Sequence, residues 1–176
     1  MSTPSVFIIG LDHSMQGYDL EQSNEAEKRL EYSVKEQTYS YVEKSIKDLG
    51  IMFIGEECHT GKKTIARVLA QELGCHYAEI DMPMEQRREA GIPDDYEKQG
   101  GAVRSRGFDI RERHMISTTY SACSLTGPKL IVVGAEHIPG LKEKFASRGE
   151  TVDAKDLRTE PWYRTILDAF LAGELN

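Results

Sequence analysis

Cysteine is scarce in this chain: Cys58, Cys75 and Cys123 are the only three in 176 residues. Their odd number and irregular spacing exclude a disulfide framework and a zinc ribbon, although Cys58-His59 and Cys75-His76 make two Cys-His dipeptides. The thiols read as small buried hydrophobes in a reducing compartment, which makes the expected location cytoplasmic. Long apolar runs are missing as well. None approaches the roughly 18 residues that cross a bilayer, and the N-terminus has neither a basic region nor a small-residue cleavage site. Basic excess is also absent. A formal net charge of −7 argues against non-specific nucleic-acid binding, which works by neutralising phosphates, but leaves room for a local basic site. With 39% hydrophobic and 29% charged residues, the chain reads as one soluble globular domain, residues 1–176.

The feature that organises the chain is a recurring unit. Lys129 to Val133 is a short β-branched apolar run, as expected of a strand buried on both faces. It ends in Gly134, and His137 follows three residues later. Val6 to Ile9 likewise runs into Gly10-Leu11-Asp12-His13. Each unit places an imidazole at the carboxyl end of a strand, the edge where open α/β sheets bind ligands.

Helices and strands alternate between these points. Residues from about Gln22 to Lys47 suggest an amphipathic helix, broken near Gln37-Thr38, and Gly50 ends it. Ile51 to Ile54 is the second strand. Ile65, Val68, Leu69 and Leu73 then recur with helical spacing and Gly74 closes their helix. His76 to Ile80 is a third strand, closed by Asp81. A long loop or lid is expected over 82–107, where periodicity fades; its Arg87, Arg88, Arg104 and Arg106 could meet an acidic or phosphorylated substrate. Phe108 to Cys123 and Leu141 to Arg148 read as helices, Thr151-Val152 as a short strand, and Pro161 as the first turn of a last helix. The pattern predicts an α/β layered domain with a mostly parallel central sheet of about five strands.

Gly55-Glu-Glu-Cys-His-Thr-Gly61-Lys62-Lys63-Thr64 lies between a strand and a helix, where a phosphate-binding loop belongs. Five residues separate its glycines instead of four, and Lys63 stands where the magnesium-holding hydroxyl is needed. Glu56 and Glu57 place negative charge where phosphates would enter, at a cost of several kcal/mol at close range. A degenerate phosphate loop is therefore the third reading, one that requires saturable ATP binding lost in Lys62→Ala.

The leading reading uses the strand ends. His13, His137 and Glu56 form a common ligand set for a catalytic divalent metal, manganese, zinc or cobalt, with a position left open for water. Glu57 would act as general base. Each histidine alone is also what a structural strand-end residue looks like, and either glutamate could simply favour the following helix. Asp12, His59 and Asp81 flank the same edge as substrate contacts. Arg111, Glu112, Arg113 and His114 occur together on a helix, where an arginine could clamp an anion or orient a carboxylate.

The order Gly10/His13, Glu56, Glu112-Arg113, then Gly134/His137/Gly140 resembles the TraB/TIKI group, placed with erythromycin-esterase-like and ChaN-like proteins. The resemblance implies a small hydrolase, metal-dependent in its TIKI branch, acting on a peptide, ester or phosphoester. It makes His13 and His137 ligands, Glu56 a ligand or base, and Arg113, beside Glu112, an orienting group. The alternative is a non-catalytic module binding a nucleotide, haem or peptide in the same pocket. Self-association is left open.

Overall fold

The computed structural model describes residues 3–17, 25–58, 63–123 and 127–171. Strands β1 (Val6–Leu11) and β4 (Lys129–Gly134) are buried at every position, which explains their unbroken apolar character. They pair in parallel with Ile9 opposite Val132. Strand β2 (Phe53–Glu56) pairs with β4 on its other side, β3 (His76–Glu79) forms one edge and β5 (Val152–Asp156) the other. The sheet is five-stranded and wholly parallel, in the order β3-β2-β4-β1-β5. This is the α/β architecture that the sequence predicts.

Helices cover both faces. On one lie α2 (Glu25–Leu49), α3 (Ile65–Leu73) and α7 (Pro161–Leu171), packed through Val42, Ile46, Leu69 and Tyr163 onto Ile9, Ile54 and Val132. On the other lie α5 (Gly101–Ala122) and α6 (Ile138–Ala146), packed through Met115, Ile116, Leu141 and Phe145 onto Ile8, Phe53 and Ile131. Helix α3 is bounded as its sequence signals: Thr64 accepts the Arg67 amide at 3.2 Å as N-cap, and Gly74 takes the left-handed conformation at φ 70°.

Three expectations are corrected. Helix α2 continues through Gln37-Thr38, and Thr38 is buried within it. Strand β2 starts and ends two residues later than expected, because the Ile51 amide still closes α2 on Ile46. The 82–107 segment is mostly regular: α4 (Met84–Glu89), a short 3-10 turn at Tyr96–Lys98, and the first turns of α5. Its ordering residues are polar or isolated, which hides them from an apolar pattern. Arg87 is buried in an ion pair with Asp81, and the Tyr96 ring lies on Gly107, where no Cβ would fit. The cysteines are half-buried.

Candidate ligand site at the sheet edge

Strands β1 and β4 are neighbours, yet the chain leaves β1 for α2 on one face and β4 for α6 on the other. Such a switch point opens a crevice outside the strand carboxyl ends. Here it holds a cavity of about 280 Å³. Asp12 and His13 line it from β1, Gly134 to His137 from β4, and Arg158 from the turn after β5. Arg104 and Phe108 of α5 and Glu97-Lys98 complete the wall. Arg104 pairs with Glu136 and stacks over Phe108, whose ring lies 4.7 Å from that of His137.

Under this cavity lies a buried ionic network. Glu57 directly follows β2 and is 1% exposed. It accepts from Arg111 and, at 2.7 Å, from the Gly134 amide; His137 Nε2 lies 3.3 Å from it and His13 Nε2 3.6 Å. His137 Nδ1 lies 3.2 Å from Glu112, which also accepts from Lys144 at 2.8 Å. Arg111 reaches Asp81 at 2.9 Å and Glu97 at 3.0 Å.

Burial by itself would raise the Glu57 carboxyl, but His137 and Arg111 overcome it and hold the group at about 2. Burial likewise works to lower His137, and the carboxylates of Glu112 and Glu57 outweigh it, raising the imidazole to about 9. At neutral pH this is an imidazolium donating toward two carboxylates, with no lone pair left for a metal. His13, by contrast, is more than half exposed and faces the cavity. A Cβ at residue 134 would come within 2.9 Å of its Nε2, so glycine there lets the ring lie across the strand end.

Glu56 goes elsewhere. Successive residues of a strand face opposite ways, and Glu56 points toward α3, accepting from the hydroxyls of Thr64 at 2.6 Å and Tyr77 at 2.8 Å. Burial lifts its carboxyl to about 7 against the lowering pull of those hydroxyls. The expected His13–His137–Glu56 ligand set is therefore not assembled. Among the described residues no group of three or more His, Cys, Asp or Glu side chains could hold a metal ion. Arg113 is corrected too: it is exposed and pairs with Asp109, while Arg111, half a turn earlier, takes the buried position. Asp12 accepts from the Tyr163 hydroxyl at 2.9 Å and so ties the β1 turn to α7. His59 lies outside the described residues.

The structure thus gathers His13, His137, Glu57, Glu112, Asp81 and Arg111. Sequence reasoning missed Lys98, Phe108, Lys144 and Arg158. Arg158 had a usable signal, since it follows a strand end on the ligand-binding edge; Lys144 had none. Gly140 matters for a reason that only packing shows. A Cβ there would overlap the Glu112 carboxylate, which His137 and Lys144 hold in place. Gly140→Ala is expected to lower stability by about 1–3 kcal/mol, read by urea denaturation. A change within experimental error would mean that Glu112 can move aside.

Residues 59–125 match the family model for shikimate kinase. The match covers less than half of the chain. It opens in the loop after β2 and runs through α3, β3 and α4 to just beyond α5, so it includes Lys62, Arg111 and Glu112. Searches of curated proteins and of solved structures return no match. The finding overturns the TraB/TIKI resemblance, for which nothing else speaks, and it favours the phosphate-loop reading over the metal-dependent hydrolase. The charge argument against such a loop also weakens. Glu57 is compensated by Arg111 and His137, and Glu56, raised to about 7, carries only about half a charge at neutrality.

Proposed function

We propose that this chain is a kinase-like nucleotide-binding domain whose sheet edge receives a nucleotide and a small phosphorylatable partner. The observation that carries the reading is the position of the cavity. It lies at the β1/β4 switch point, on the same carboxyl edge as the loop after β2 where the shikimate kinase match opens. Its wall supports the same reading: the guanidinium groups of Arg104 and Arg158 can hold phosphate oxygens in a fork geometry that a lysine cannot offer. Lys62 follows the second glycine of the loop, as a phosphate-contacting lysine does. The acidic groups of the wall, Glu136 and Asp12, suit the hydroxyls of a partner.

Titration calorimetry with ATP and magnesium chloride tests the proposal. Saturable binding is expected, weakened about tenfold or more in Lys62→Ala and in Arg158→Ala, since a charge-assisted contact contributes about 1.5–3 kcal/mol. Absence of saturable binding by the folded protein to ATP, GTP, CTP and UTP at millimolar concentration would overturn it. Calorimetry reports binding whether or not a reaction follows.

A further inference from the structure

Apart from the sheet-edge site, the described residues enclose a second, much smaller cavity of about 10 Å³. It lies on the opposite face, between α2, α3 and the strand ends, with Leu11, Val42 and Ala66 among its apolar walls. Three polar side chains also line it: Gln16 of the short helix α1 (His13–Gln16), Thr38 of α2, and Glu56 of β2. Each has one atom without a hydrogen-bond partner, Gln16 Nε2, Thr38 Oγ1 and Glu56 Oε1. All three residues are at least nine-tenths buried. Native proteins seldom leave one such atom unpaired, and here three meet at one void. The volume is about that of one water, and three partners are the usual number for a buried one.

We propose that one water molecule occupies this cavity as a fixed part of the fold, and that it orients Gln16 so as to position His13 at the sheet-edge site. The water accepts from the Gln16 amide, donates to Glu56 or accepts its acid proton, and shares its remaining bond with Thr38. This satisfies the buried Gln16 Nε2. The amide oxygen then faces outward, 3.4 Å from His13 Nδ1. An amide oxygen can only accept, so Gln16 favours a proton on His13 Nδ1, against the pull of the Glu57 carboxylate 3.6 Å from Nε2. His13 is thus set from behind by an unbroken polar chain, Glu56 to water to Gln16 to imidazole. Gln16 and Thr38 are positioning residues in this scheme.

The water can be sought directly in a crystal structure resolved well enough to show ordered solvent. One peak within hydrogen-bond reach of the three orphaned atoms is expected; an empty cavity overturns the proposal. The positioning claim is read separately, from imidazole ¹⁵N shifts in histidine-labelled protein. The parent is expected to show His13 mainly as the Nδ1–H tautomer. In Gln16→Met that bias should vanish while the His137 signals stay unchanged. If Gln16→Met does not fold, Thr38→Val replaces it, with a smaller displacement of the His13 signals expected. Unchanged His13 signals in the folded variant sink the positioning claim. None of these measurements depends on nucleotide binding.

Discussion

Arg111→Met is expected to lower the unfolding free energy by about 3–5 kcal/mol, the cost of removing one partner from a buried ion pair. Arg111 is 2% exposed, and its guanidinium faces Glu57, Asp81 and Glu97. Without it, Glu57 and Asp81 remain beneath the sheet edge with less opposing charge and no access to water. Methionine fills much of the volume, so the loss reports charge more than cavity. Arg113→Met, two residues along the same helix, removes an exposed pair with Asp109 and should change stability by less than about 1 kcal/mol. Adding Glu57→Gln to Arg111→Met should recover part of the loss, because the orphaned charge is then gone. Urea denaturation of the four proteins decides the matter. Equal small effects of the two arginine substitutions would show that the network is not what holds α5 to the sheet.

The second large effect concerns pH. The Glu56 carboxyl is raised from 4.5 to about 7 in the fold, so the folded state holds this proton more tightly than the unfolded chain does. Its contribution is complete below pH 4.5 and is lost as pH rises through about 7. By linkage this loss is roughly 3 kcal/mol. Glutamine mimics the protonated acid, keeping the acceptor for Thr64 and Tyr77 and a donor toward the small cavity. Glu56→Gln should therefore lack this part of the decline. The other shifted groups of the network act mainly outside the window. The contribution of Glu57, lowered to about 2, disappears only as pH falls below 4.5. That of His137, raised to about 9, is complete below 6.5 and fades as pH rises through about 9. Stability measured from pH 4.5 to 6.5 in parent and variant isolates Glu56. Parallel curves would show that its proton is not held by the fold.

Both effects come from charged residues inside the protein, and these were the least legible in the sequence. Helix α5 was seen only from Phe108, because residues 101–106 are exposed and bury no apolar face; farther along it buries the paired charges Arg111 and Glu112, which periodicity arguments do not count. The same blindness made the 82–107 segment look like a loop, since Arg87 and Tyr96 order it through Asp81 and Gly107. Glu56 was expected to join the histidines, where Glu57 does, because the end of β2 was placed two residues early. In a strand, facing alternates at every residue, so the assignment rests on the exact register.

By itself the sequence determined the α/β class, the central buried strands, the helix α3 with its closing glycine, and the carboxyl edge of the sheet, where the cavity lies. These follow from local rules: apolar runs bury on both faces, helical spacing makes a stripe, and glycine ends a helix in the left-handed region. Tertiary structure alone decided that His137 is an imidazolium between two carboxylates, that Glu57 and Arg111 form the base of the site, and that Glu56 faces a separate cavity. Those outcomes depend on groups up to 80 residues apart, such as Glu57 and His137, meeting where water is excluded. There each charge acquires its state from its neighbours, and the residue type alone does not specify it.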